Sequence, residues 1–97
     1  MPAAHRLGDT CTGHGPWPAR ANTSASTNVF VNGRGWHRVG DGWSVHCRPG
    51  RDPACHGSAL GAGSASVFVN GRAAGRAGDA VACGSSAASG SANVFAG

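Results

Sequence analysis

Residues 28–41 read NVFVNGRGWHRVGD, and residues 66–79 read SVFVNGRAAGRAGD. The second copy follows the first at an offset of 38, from Val29 to Val67. Alternation along 28–31 puts Val29 and Val31 on one face of a strand and Phe30 on the other. Asn32-Gly33 and Asn70-Gly71 are two-residue hairpin signals, because both positions of that turn tolerate φ > 0. The return strands are expected to run through about Val39 and over 72–77. Each copy closes on Gly-Asp, where the Asp is expected to accept backbone N–H groups and turn the chain.

Fragments of the same unit stand at the two ends. Residues 93–97 read NVFAG, and residues 3–9 read AAHRLGD. Joined end to beginning, they make a third hairpin with an outward strand at 93–96 and a return strand at about 2–7. This predicts paired terminal strands, with Met1 close to Gly97. A short repeat that closes on itself implies approximate three-fold symmetry.

The 97 residues suit one domain over 1–97, and this reading expects no effector extension. Helix signals are nearly absent, so the expected class is all-β. Alanine inflates the apolar fraction, and the large apolar side chains are few. A core this thin needs a metal, a disulfide or a partner. All eight basic residues are Arg and all four acids are Asp, for a net charge of +4. Arg34, Arg38, Arg72 and Arg76 hold repeated strand positions, and no continuous basic run or aromatic platform suits nucleic acid. The N-terminus lacks a basic stretch followed by an apolar core, so it does not resemble a signal peptide. No stretch approaches the roughly 20 apolar residues of a membrane helix. The expectation is synthesis in the cytoplasm and export by a dedicated machine.

The chemistry lies in the connections 10–27, 42–65 and 80–92. His14 follows Asp9 by five residues, His46 follows Asp41 by five, and Cys83 follows Asp79 by four. Three equivalent loops thus carry a nitrogen or sulfur ligand at nearly the same distance past the same turn. With hairpins around a common axis, these side chains converge at one end of it. Zinc takes four ligands from Cys and His, and His56 is the chosen fourth. The set His14, His46, His56 and Cys83 is closed, with no open position for water. His5 and His37 precede Arg-x-Gly-Asp in two copies and read as strand residues, so His5→Ala should spare both metal and fold. Cys47 and Cys55 bracket RPGRDPA. They can form a disulfide after export, or compete for the metal through the pairs His46-Cys47 and Cys55-His56. An intracellular origin favours free thiols or ligands. Cys11 has no obvious mate. Three of the four Asp residues close turns, which leaves little carboxylate chemistry, and no orienting group marks a Cys-His nucleophile. Serine in GSSAASGSA reads as loop material.

The chain resembles the PAAR-repeat family, the conical cap on the spike of type VI secretion systems and contractile phage tails. The resemblance rests on MPAAHRLGD, on two copies of VFVNGR leading to Arg-x-Gly-Asp, on HGPWP, on SVHC and CHG, and on NVFAG. The Pro-Ala-Ala-Arg signature stands here as Pro2-Ala3-Ala4-His5-Arg6, with one residue interposed. The resemblance implies a small conical fold of three β-hairpins with pseudo-three-fold symmetry. It implies one structural Zn2+ near the apex, held by His14, His46, His56 and Cys83. It also implies a structural protein rather than an enzyme, a monomer in isolation that caps a trimeric β-helical spike protein. Sheath contraction then drives the capped spike through a target membrane, with toxin effectors attached non-covalently. A free-standing zinc module that binds nucleic acid is the alternative, and a thiol-based redox protein using Cys47 and Cys55 is a third reading.

Overall fold

The computed structural model describes residues 1–47 and 55–97. Its strands are β1 (Phe30–Val31), β2 (Arg34–Gly35), β3 (Gly42–Cys47), β4 (Cys55–Ala59), β5 (Phe68–Val69) and β6 (Arg72–Ala73), with no helix among the described residues. The Asn-Gly pairs turn the chain as their residue types dictate. Asn32 and Asn70 both take φ 54°, and Gly33 and Gly71 follow at 76° and 77°. Two successive positive φ values suit the right-handed twist of a tight hairpin. β1 pairs antiparallel with β2 through Phe30↔Gly35, and β5 with β6 through the equivalent Phe68↔Ala73. Val31 and Val69 are buried while Phe30 and Phe68 are exposed, as the alternation requires.

The third hairpin is assembled from both ends of the chain. Ala3 bridges Phe95, Ala4 N–H donates to the Val94 carbonyl at 2.9 Å, and Ala96 N–H donates to Pro2 at 3.0 Å. A Cβ on Gly97 would lie 3.6 Å from Met1 Sδ, so the two terminal residues adjoin.

The three units close around a triangle of backbone hydrogen bonds between equivalent positions. His37 N–H donates to His5 O at 3.0 Å, Gly75 to His37 at 2.8 Å, and His5 to Gly75 at 3.0 Å. A second triangle joins Leu7 to Gly35 at 2.8 Å, Val39 to Ala73 at 3.0 Å and Ala77 to Ala3 at 2.8 Å. This closure shortens the return arms relative to expectation. Pairing within the first hairpin ends with the bond from Trp36 N–H to Val29 O at 2.9 Å; Trp36 also bridges Arg6, and Arg38 bridges Ala74. Each arm exchanges its own partner for the neighbouring unit, because a three-sided prism leaves no edge unpaired only that way. The molecule extends 43 × 23 × 22 Å, and the near-equal short axes fit three-fold packing about the long one.

Two sets of side chains repeat with the backbone. Arg6 N–H and Nε both donate to Asp9 Oδ2, at 2.8 and 2.9 Å, and Nη2 donates to Oδ1 at 3.1 Å. The same fork joins Arg38 to Asp41 and Arg76 to Asp79. Arg34 and Arg72 reach Asp9 and Asp41 from the following hairpin, each at 3.4 Å. Burial pushes the Asp9 and Asp41 carboxyls up, but the Arg6 and Arg38 hydrogen bonds outweigh it and hold both below the usual carboxylate range. The turn-forming role foreseen for these Asp residues is thus real, and the guanidinium forks add to it. Buried Ser26, Ser64 and Ser91 form the second set. Each hydroxyl accepts the N–H of the valine three residues on, at 3.0, 2.8 and 2.9 Å. Ser26 and Ser91 also donate to the turn residues Asn70 and Asn32, and Ser64 donates to the Gly97 carbonyl.

The connection 42–65 is not a plain loop. It carries β3 and β4, the longest strands, paired through Gly42↔Ala59, Trp43↔Ser58, His46↔His56 and Cys47↔Cys55. The register shifts between Trp43 and His46. Strict alternation would put these two on opposite faces; the irregularity lets both point inward, each 4 % exposed. Trp43 joins Cys11, Leu60, Val81 and Ala87 in the core.

His5 and His37 are fully buried beside Trp43, with ring centroids 5.1 and 5.3 Å from the indole. The expectation that His5 is dispensable to the fold therefore does not hold. Its Nδ1 donates to Ser89 O at 2.7 Å, and its Nε2 accepts from Asn22 Nδ2 at 3.0 Å. His37 Nδ1 donates to Ser24 O at 2.7 Å, while its Nε2 has no partner among the described residues. Burial pushes the His37 pKa down to about 4. Between that value and about 6.5 the unfolded chain binds a proton that the folded one refuses, so stability falls as pH falls through this window. The expected loss is on the order of 3 kcal/mol. His37→Asn keeps a donor for the Ser24 carbonyl and removes the titration. Denaturant unfolding from pH 6.5 to 4 should show a shallower slope for that variant; identical slopes would place the acid sensitivity elsewhere.

Candidate metal centre

Two loops and one strand pair deliver four side chains to one point. His14 sits in a tight turn of its own: its N–H donates to Trp17 O at 3.0 Å, and Trp17 N–H returns to His14 O at 2.9 Å. Gly13, at φ 74°, begins that turn, and a Cβ there would stand 2.6 Å from Trp17 O. Pro16 and Pro18 stiffen the segment by fixing φ. His46 and His56 face each other across β3 and β4. Cys83 arrives on the connection after Asp79, beside Gly84 at φ 113°.

The ligand atoms of His14, His46, His56 and Cys83 lie within 4.8 Å of one another. The three Nε2 atoms stand 3.2 Å (His14–His46), 3.0 Å (His14–His56) and 2.6 Å (His46–His56) apart. His46 Nδ1 lies 2.8 Å from the Pro18 carbonyl, so it carries the proton and leaves a lone pair on Nε2. Three imidazole nitrogens this close cannot all satisfy one another, since each hydrogen bond needs one donor and one acceptor. A cation among them satisfies all three, and the cluster can hold a metal ion.

The surroundings suit an anionic sulfur. Burial pushes the Cys83 thiol up, but donation from Ser85 N–H and Oγ, then from His56 and Ser58, brings its pKa down to about 5. Arg20 lies behind it, 9 % exposed. Its guanidinium reaches Cys83 Sγ at 3.6 Å, Cys11 Sγ at 3.0 Å and the Ser44 carbonyl at 2.7 Å, and it sits 5.3 Å from the Trp43 ring centroid. Trp17 caps the other side: its ring lies 5.0 Å from His14, stacked, and 5.0 Å from His56, tilted.

The structure therefore brings together the three residues that the offsets singled out and the chosen fourth, His56, and it keeps His5 and His37 apart from them. It also decides between the alternatives left open for Cys47 and Cys55. They are disulfide-bonded, and alternation turns both to the exposed face, away from the imidazoles. Competition for the metal is thereby excluded in this state. Cys11 is a free thiol, as expected, and it accepts from Arg20 N–H at 3.4 Å as well as from the guanidinium. Arg20 and Trp17 are the residues that sequence reasoning missed. Neither recurs in the other copies of the repeat, so no offset marks them.

The family model described as PAAR motif matches residues 12–89, a span that contains all four converging side chains. No curated protein matches the chain.

Proposed function

The chain belongs to the PAAR-motif family, and on that premise we propose that it is the metal-stiffened tip of a contractile injection apparatus, seated on a trimeric β-helical spike. The observation that carries this reading is the closed three-fold ring together with what it displays. Phe30, Phe68 and Phe95 occupy equivalent places on the three hairpins and are 59 %, 60 % and 49 % exposed. One chain thus presents three copies of an apolar contact, the arrangement a true trimer can meet once, hairpin by hairpin.

The proposed metal is one zinc ion. What supports it is the donor set, three neutral imidazoles and one thiolate with every position taken by protein, as in structural zinc sites. A tetrahedral zinc sets its nitrogen ligands about 3.3 Å apart, close to the longer separations seen here. Such an ion supplies cross-links where apolar contacts are sparse. The residues then form a chain of contacts from base to apex. The hairpin ring holds His5 and His37, these hold Trp43, Trp43 carries Arg20, and Arg20 reaches Cys83. Load on the apex passes into the prism along that column. We assign no catalytic role. Among the described residues the nucleic-acid reading finds few free cations: Arg6, Arg34, Arg38, Arg72 and Arg76 are engaged with Asp, and Arg20 is buried.

The test is the triple variant Phe30→Ser, Phe68→Ser, Phe95→Ser. Wild-type protein is expected to bind a trimeric β-helical spike protein at one chain per trimer, measured by mass. Losing three apolar contacts should weaken binding by roughly a hundredfold or more while thermal unfolding changes little. Unchanged affinity would remove the aromatic face from the interface.

A further inference from the structure

We propose that the Cys47–Cys55 disulfide is a redox lock on the metal centre. The inference rests on the metal-site reading above, and it follows from strand register. Cys47↔Cys55 is the pair next to His46↔His56, the two ligand candidates with the shortest separation. Period-2 alternation sends the imidazoles inward and the sulfurs outward. The disulfide thus clamps the two strands one residue from the point where they present two of the four ligand atoms, without touching the site.

Little else holds this end of the hairpin. Among the described residues, the backbone bonds that tie β3 to the body reach only as far as Ser44, whose N–H donates to Ala21 O at 3.2 Å. β4 is tied at its other end, where Ala59 O accepts from Ala82 N–H at 2.9 Å. Beyond those two points remain the side-chain bond from His46 Nδ1 to Pro18 O, the Trp17 ring 5.0 Å from His56, and the ligand cluster itself. Val45, between them, is 62 % exposed and adds no buried anchor. With the disulfide intact, His46 and His56 stay together when either leaves the metal. With it reduced, the strand ends part, and each imidazole is lost separately. Both cysteines are exposed, so a reductant reaches them. The lock is open in reducing surroundings and closed in oxidising ones.

A phosphine tests this without supplying a competing thiol. It gives two electrons to the disulfide and leaves as its oxide with the oxygen of one water, whose two protons go to the thiols. The protein is loaded with zinc(II), and metal release to an excess of chromophoric chelator is timed. Reduction is expected to speed release about tenfold or more, in line with the loss of a short covalent loop. The double variant Cys47→Ser, Cys55→Ser should match the reduced protein, and hydrogen exchange over 42–47 and 55–59 should rise in both. Equal release rates in oxidised and reduced protein overturn the lock. Faster release in the reduced wild type but not in the double variant also overturns it, because freed thiols would then be drawing off the metal. An oxidised protein that takes up no zinc at all overturns both the lock and the metal-site reading.

Discussion

Cys83→Ala and His46→Ala are expected to emerge without zinc, and wild-type protein is expected to carry about one ion per chain by elemental analysis. A structural zinc contributes on the order of 10 kcal/mol to folding. Loss of one of four ligands should forfeit several of these and lower the melting temperature by roughly 20 °C or more. The two variants differ in what they leave behind. Without Cys83, the Arg20 guanidinium keeps Cys11 and the Ser44 carbonyl but loses one anionic neighbour. Without His46, the Pro18 carbonyl loses its donor and the core gains a cavity beside Trp17. His5→Ala separates metal binding from folding: it should retain the ion yet cost about 2–4 kcal/mol, through an emptied core position and an unpaired Asn22 amide. Full zinc retention in Cys83→Ala would break the ligand assignment.

The second large effect lies in the prism. Asp41 is 4 % exposed and accepts from Arg38 N–H, Arg38 Nε and Nη2, Arg72 Nη2 and Ser24 Oγ. Asp41→Ala leaves two guanidinium groups facing each other with no anion between them, and breaking a buried pair of this kind costs about 3–5 kcal/mol. Asp79→Ala should cost less, because among the described residues Arg76 is its sole cation. Denaturant unfolding of the two variants checks the order; equal losses would mean that Arg72 adds nothing. The sign of the pH effect follows from the depressed carboxyls of Asp9 and Asp41. Their contribution is complete above about 4 and is lost as pH falls through their lower folded values. This acid step lies below the His37 window, so a stability profile should show two separate declines.

Much of this was legible because the chain repeats itself. The Asn-Gly turns, the joined termini and the three-fold closure all follow from one unit read twice and completed from the ends. The convergence of His14, His46 and Cys83 follows from their nearly equal distances past Gly-Asp. What does not repeat was harder to see. β3 and β4 hide because a register shift breaks the alternation between Trp43 and His46, and because Gly57 and Ser58 weaken the strand pattern. Ser64 and Ser91 look like filler in Ser-rich stretches, yet each is a buried three-way junction. The Cys47–Cys55 bond was obscured by a compartment argument, while the deciding fact was a register that only the folded hairpin supplies. Arg20 carries no motif; its role depends on Trp43 and on two sulfurs brought from distant parts of the chain.

The triangle of backbone bonds through His5, His37 and Gly75 also governs how the protein comes into being. All three of its links join distant parts of the chain, and the strand beside Ala3 is not synthesised until residues 93–96. Contacts of such high sequence separation make folding slow. No stable partial prism is available during translation, since each incomplete stage exposes an unpaired edge. Assembly therefore waits until residues 93–96 clear the ribosome, and a chain stalled short of Asn93 is a target for aggregation or proteolysis rather than a shorter working protein.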